Sequence, residues 1–334
     1  MIRPKIFIGP MSENIVAAII EYVNENDVPI GIIPSRRQVE HDGGYVNNWE
    51  TKEFAGYIKS QTDKVLLCRD HAGPSQGTFE DDGIESFMVD ATVLDLVHVD
   101  VWKKCQDYEE GLRKTVSFIK LGYSLNANLF YEVGTEEAIR PTTPEELDRL
   151  LGDLRKLLKR DTFDKIKYCV IQSGTALEAN NNIGTYSKDR LVNMVKSVKK
   201  YGIMPKEHNG DYLAKGQIRE KFKAGLECIN IAPEFGAIET ALILDALAGN
   251  KDLIEEFYQL CLESKRWVKW VPENYNPEEN KSEIIRIAGH YVFSDSRFVE
   301  LRNKLFITNR HIRSKIKDRI EELVAETRCE NNSI

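Results

Sequence analysis

Several side chains able to bind a metal or move a proton fall at or just after the ends of short apolar runs. Asp70 and His71 follow residues 65–68, Asp100 lies near the end of 94–101, and Glu136 follows 125–131. Glu178 follows 166–171, His208 follows 202–205, and Asn230 lies within 228–232. A neutral imidazole offers a nitrogen to a divalent cation, and a carboxylate can complete the ligand set or carry a proton. His71, Glu136 and His208 together supply two imidazoles and a carboxylate. That set suits zinc or another first-row divalent ion and leaves positions open for substrate oxygens. In an extended strand Asp70 points to the opposite face from His71, where it can orient a substrate or shuttle a proton. Singly, each has a plainer explanation: Asp70-His71 as hydrogen-bonded structure, Glu136 as an acid at a helix N-terminus, His208 as a turn residue.

The elements that must bring these residues together are eight apolar runs, at 5–8, 30–33, 65–68, 94–101, 125–131, 166–171, 202–205 and 228–232. Their near-continuous hydrophobicity, without strict alternation, predicts strands covered on both faces, as in a parallel sheet. Helical periodicity fills the gaps. Ile15, Val16, Ile19, Ile20 and Val23 share one face after Ser12, a good N-cap. Thr143-Pro144-Glu145-Glu146 is a strong helix start, followed by the stripe Leu147, Leu150, Leu151 and Leu154. Repetition of strand and helix predicts an α/β fold, a (β/α)8 TIM barrel over residues 1–250. In that architecture the carboxyl ends of all strands open onto one face, so the scattered polar residues converge.

Beyond residue 250 the alternation stops, and residues 251–334 read as a C-terminal helical extension packed on the barrel. It carries Trp267, Trp270 and Tyr275 in an irregular stretch, then a helix with Ile312, Ile316, Ile320, Leu323 and Val324 on one stripe. The loops after the second and sixth runs, 35–45 and 174–186, are long and leave from the carboxyl side, where long loops are usually functional. The first contains Arg36 and Arg37, suited to grip a phosphate or carboxylate bidentately. His98 lies between Val97 and Val99 and reads as a hydrogen-bonded core histidine.

Composition narrows the function classes. The chain has 334 residues, 42% hydrophobic and 30% charged, enough for an ample core. A net charge of −7 gives no reason to expect nucleic acid or an anionic membrane as partner. Cys68, Cys105, Cys169, Cys228, Cys261 and Cys329 show no CxxC spacing and read as free thiols of a reducing compartment. With no apolar run long enough for a signal peptide or span, a cytoplasmic location is expected.

Short motifs in a shared order make the chain resemble a known family. They are Gln38-Val39 with Gly43-Gly44-Tyr45; Asp70-His71 with Gly73-Pro74; His98-Val99-Asp100; Gly134-Thr135-Glu136; Gln172-Ser173-Gly174; Glu207-His208 with Asp211-Tyr212; and Asn230-Ile231-Ala232-Pro233. Together they resemble the class II metal-dependent aldolases. Within these, they resemble the barrel subunit family known as the non-catalytic subunit of tagatose-bisphosphate aldolase, over roughly residues 5–300. The resemblance implies a lyase acting on a sugar or sugar phosphate by retro-aldol or aldol chemistry through a metal-stabilised enediolate, with zinc as the first expected metal. It implies that His71 and His208 bind the metal and that Glu136 is associated with it. Asp70 would protonate the aldehyde oxygen, Asp100 would be an acid at the substrate, and Asn230 would contact the ketose half.

Two departures matter. Active aldolases carry a histidine where this chain has Leu177 in Gly174-Thr175-Ala176-Leu177, so the third metal histidine is absent there and Glu178 is the candidate to replace it or act in catalysis. The Gly- and Ser-rich phosphate run is replaced by Asn209-Gly210-Asp211, and a carboxylate repels phosphate. That shifts the expected anion contacts to Arg36 and Arg37, and to Arg297, whose Ser294-Asp295-Ser296-Arg297 run is similar to one in the related subunit. The resemblance also implies a homo-oligomer. It leaves two other functions open: a non-catalytic subunit that stabilises a separate catalytic aldolase subunit, and a sugar epimerase using the same retro-aldol step.

Overall fold

The computed structural model describes residues 2–328. Eight parallel strands close into a barrel: Ile6–Ile8, Ile30–Ile32, Val65–Ala72, Leu96–Val99, Phe130–Val133, Ile166–Ile171, Met204–Glu207 and Cys228–Ile231. Neighbours follow chain order, and the first strand pairs with the last, Phe7 standing opposite both Asn230 and Gly31. This is the expected TIM barrel.

Most strand limits differ from the sequence reading by a residue or more, and three of the differences have a local reason. The helix Tyr108–Leu125, capped by Asp107, takes up the residues through Leu125, so the fifth strand begins only at Phe130. The seventh strand starts at Met204, because Gly202 has a positive φ and closes a turn. The third strand continues four residues past Cys68 to Ala72, so Asp70 and His71 lie within it. The loop after the sixth strand folds into a small hairpin of Leu177–Glu178 with Asn181–Asn182.

The barrel interior is layered. Phe7, Ile33, Leu66, Cys68, Leu96, Tyr168 and Cys228 fill it with apolar side chains. Gly31 is required there, since a Cβ at that position would lie 2.0 Å from the Phe7 ring. Above this plug the inward side chains become polar, which creates the site.

Beyond residue 250 the chain behaves in two ways. Helices Lys251–Ser264, Lys281–Ala288 and Ser296–Asn303 enclose a second core around Phe257, Tyr258, Cys261, Ile285 and Leu301, to which Ile243 and Leu247 at the end of helix Pro233–Ala246 also contribute. The last helix, Asn309–Thr327, packs on helices Glu13–Asn26, Gln217–Lys223 and Pro233–Ala246. It buries Ile312, Ile316, Ile320, Leu323 and Val324 in the main core, as the stripe predicts. Each such side chain contributes on the order of 1.5–3 kcal/mol. Cys68, Cys105, Cys169, Cys228 and Cys261 are free thiols, and Cys329 lies outside the described residues. Among the described residues no helix is long and apolar enough to cross a membrane.

Candidate functional site

Alternation along the strands decides what enters the barrel mouth. On the third strand Arg69 points outward and is fully buried, donating to Asp90 at 2.8 and 2.7 Å and to the carbonyls of Pro34 and Val39. Regular alternation would then turn Asp70 inward and His71 outward. Instead the register with the fourth strand slips between Arg69 and Ala72, and His71 adopts a φ of 49°. The expectation that Asp70 and His71 face opposite ways is corrected by this bulge. Both side chains reach the same centre, held by a backbone conformation that costs on the order of 1–3 kcal/mol.

Three imidazoles meet there. The rings of His71, His98 and His208 stand 4.9 to 5.1 Å apart by centroid. Each anchors its outer N–H on an oxygen. His71 Nδ1 lies 2.7 Å from Asp100 Oδ2, His98 Nε2 lies 3.0 Å from the Gly134 carbonyl, and His208 Nε2 lies 2.8 Å from Glu132 Oε1. A carbonyl only accepts, so His98 carries its proton on Nε2. Asp100 and Glu132 are both held in the carboxylate form, so they also accept. The remaining nitrogens, Nε2 of His71 and Nδ1 of His98 and His208, are left unprotonated when the rings are neutral. Those of His71 and His208 lie 3.6 and 3.8 Å from Asp70 Oδ1, a buried oxygen with no hydrogen-bond partner. One ligand atom from each of Asp70, His71, His98 and His208 falls within 4.8 Å of all the others. Tetrahedral ligands about 2.1 Å from an ion stand about 3.4 Å apart, so the cage would draw in by up to about 1.4 Å to hold one. An oxygen anchor behind each imidazole is the usual outer shell of a metal-binding histidine.

The electrostatics agree. Burial opposes charge on His71, yet Asp70, Asp100 and Glu136 outweigh it and raise its pKa to about 10. Burial, aided by the imidazoles of His208 and His71 against the pull of Glu132, lowers His98 to about 4. Burial of Glu132 is overcome by Lys206, His98 and His208, which hold it far below the usual carboxylate range. Four carboxylates, Asp70, Asp100, Glu132 and Glu136, thus surround three imidazoles with one ammonium, Lys206, 2.6 Å from Glu132. A site of that balance attracts a cation.

The chain resembles a probable tagatose 6 phosphate kinase from Sinorhizobium meliloti 1021, with a TM-score of 0.76 and 17% identity over 97% of this chain and 100% of that one. It resembles the fructuronate-tagaturonate epimerase UxaE from Cohnella laeviribosi, with a TM-score of 0.66 and 12% identity over 97% and 81%. It also resembles the YdjI aldolase from Escherichia coli K12, with a TM-score of 0.56 and 14% identity over 99% and 94%. These likenesses are of fold. No family model and no curated protein sequence matches the chain.

Within this barrel the residues picked out from sequence divide. Asp70, His71 and His208 come together. Glu136 stands beside them, its Oε2 3.9 Å from His71 Nε2 and accepting from Asn209 at 2.7 Å, outside the four-residue cage. Asp100 is fully buried and accepts from His71, Thr135 and the Trp102 backbone, so it orients His71 rather than standing open to a substrate. Asn230 shares the inward face of Phe7, is 4% exposed, and neither of its amide atoms has a partner. Buried unpaired amides cost about 1–3 kcal/mol, and such orphans mark places where a ligand can supply the bond.

Others lie apart. Arg36 is buried in ion pairs with Glu40 at 2.6 Å and with Asp81, donating to the latter also at 2.9 Å, so its guanidinium serves the loop. Glu178 is exposed on the hairpin and is not part of the cage; the third imidazole comes from His98 instead. Arg297 is exposed and paired with Asp295 and Glu263. His98 was read from sequence as a core histidine and stands in the cage as well, while Glu132 and Lys206 were not singled out. The signal for two of them was spacing by two, since His98 precedes Asp100 and Lys206 precedes His208 on one face of their strands. Glu132 stands beside His98 in register.

Proposed function

We propose that the chain is a divalent-metal-dependent enzyme of the class II aldolase type, making or breaking a carbon–carbon bond in a sugar or sugar phosphate. The observation that carries this reading is the cage of His71, His98, His208 and Asp70 with an oxygen anchor behind every imidazole. The nitrogen-rich donor set suits zinc first. A divalent ion bound there would supply Lewis acidity to a ketose carbonyl.

The chain's own residues would do the rest. Asp100, Glu132 and the Gly134 carbonyl fix the tautomers. Asp70, at the cage with one oxygen unpartnered, is placed to pass a proton to or from the aldehyde-side oxygen. The Asn230 amide can donate to and accept from substrate hydroxyls. An epimerase would use the same cleavage followed by religation, and the fold shared with UxaE keeps that variant in view.

The test is metal analysis of the purified full chain together with an assay for aldehyde release from ketose bisphosphates and free ketoses. About one equivalent of zinc, manganese or cobalt and metal-dependent release is the expected result. Substrate inverted at one centre without net cleavage identifies the epimerase. A chain that takes up no metal and turns over nothing, yet stabilises a separate aldolase subunit, sinks the enzyme reading.

A further inference from the structure

Near the carboxyl end of the barrel, four cations have no carboxylate partner among the described residues: Arg37, Lys103, Arg266 and Lys269. Two come from barrel loops. Arg37 Nε donates to the Gly77 carbonyl at 3.1 Å and Lys103 Nζ to the Ser75 carbonyl at 2.9 Å. Gln76, between those carbonyls, donates to the Asp100 backbone and ties this loop to the histidine centre. The other two come from the segment beyond residue 250. The Arg266 guanidinium lies 5.9 Å from the Tyr45 ring, and Lys269 Nζ lies 4.2 Å from Trp270 and 5.9 Å from Tyr291. Tyr45 and Tyr291 stack edgewise at 5.0 Å, and Trp270 donates to the Tyr291 hydroxyl at 3.2 Å, so Arg266 and Lys269 share one aromatic wall.

Gathering four like charges is unfavourable unless an anion is to be bound. Lys269, which solvent reaches, has the other three cations as neighbours. Its surroundings lower its pKa to about 8, through desolvation and through Arg37, Arg266 and Lys103, against the pull of Glu136. Glu136 also sits 3.9 Å from His71, so the cations and the cage are neighbours. The competing anion position, the N-terminus of helix Pro233–Ala246, is already filled. Asp211 accepts there from the backbone N–H groups of Ala232 and Glu234 at 2.8 and 2.9 Å.

We propose that Arg37, Lys103, Arg266 and Lys269 form the subsite for an anionic terminus, phosphate ester or carboxylate, of the carbohydrate handled at the histidine cage. The proposal rests on the carbohydrate reading above. It adds that the segment beyond residue 250 contributes recognition through Arg266 and Lys269. It also makes an uncharged sugar a poor ligand.

The test is calorimetric titration of the full chain, stripped of metal by chelation, with glycerol 3-phosphate, glycerate and glycerol in parallel. Binding of one of the two anions well above glycerol is expected, and whichever binds tighter names the anion. The double variant R266Q/K269Q should weaken that binding about tenfold or more while circular dichroism and metal uptake stay unchanged. Arg37→Gln should weaken it in the same direction. Unchanged affinity in these variants, or no preference of the wild type for either anion over glycerol, overturns the subsite. Because the titration omits metal, a chain that binds the anion yet takes up no metal fails the proposed enzyme chemistry and leaves the subsite standing.

Discussion

His208 Nε2 lies 2.8 Å from Glu132 Oε1, and both side chains are withdrawn from solvent inside the barrel. The other oxygen of Glu132 accepts from Lys206 Nζ at 2.6 Å, and that ammonium rests 3.8 Å from the Phe7 ring centroid, on the apolar plug. The plug thus supports the ammonium, the ammonium fixes the carboxylate, and the carboxylate aims the imidazole.

Glu132→Gln breaks that chain at its middle. An amide can turn its NH2 toward His208 and favour the wrong tautomer, so metal affinity should fall about 10- to 100-fold by competition with a chromophoric chelator. Lys206 would keep a buried charge without a counter-ion, and urea unfolding should show a loss of about 3–5 kcal/mol. The double variant Glu132→Gln with Lys206→Met should regain most of the stability and none of the metal affinity. Recovery of both would show that Glu132 acts on the fold alone.

His98 is the residue that separates this centre from the ligand set read from sequence. His98→Ala should cut metal content at fixed free metal well below that of wild type, whereas Glu178→Gln, on the exposed hairpin, should leave it unchanged. Elemental analysis after dialysis against a metal buffer decides. Equal loss in both variants would return Glu178 to the site.

The eight strands were legible because a parallel barrel buries both strand faces, and their apolar runs stand out between helical stripes. Asp70, His71 and His208 were legible because they terminate such runs. His98 was not, since a histidine between Val97 and Val99 looks like core until Asp100, two residues on, is seen to share its face. The bulge at His71 leaves no mark in the residue types, although it is what brings Asp70 and His71 to the same point. Of the cluster of Arg37, Lys103, Arg266 and Lys269, Arg37 alone was read from sequence as an anion contact, and the rest was beyond reach for another reason. Its members are far apart in sequence, and only packing of the segment beyond residue 250 on Tyr45 assembles them.

Asp70 is the proton carrier in the proposed chemistry. Asp70→Asn preserves shape and keeps a ligand oxygen while removing the titrating group. The variant should retain about one metal equivalent and lose turnover by about 10²- to 10⁴-fold with KM little changed. A proportionate loss of metal would make Asp70 chiefly a ligand.

His290 gives the acid limb of stability a specific source. It is 3% exposed, stacks on Tyr291 with centroids 4.0 Å apart and near Tyr45 at 6.4 Å, and neither ring nitrogen has a partner. Burial, with the nearby Lys269 charge, lowers its pKa to about 3. Unfolded, the same ring titrates near its ordinary value of about 6.5. Between those values the unfolded chain binds a proton that the folded chain refuses, so stability falls as pH falls below about 6.5, by up to about 1.4 kcal/mol per pH unit. His290→Leu removes the titration and the two unpaired nitrogens while keeping an apolar body between Gly236 and Tyr291. Urea midpoints at pH 6.5 and 5.0 should therefore fall less in the variant than in the wild type, and the variant should be at least as stable at pH 5.0. Parallel decline of the two would show that His290 finds a proton-accepting partner in solution.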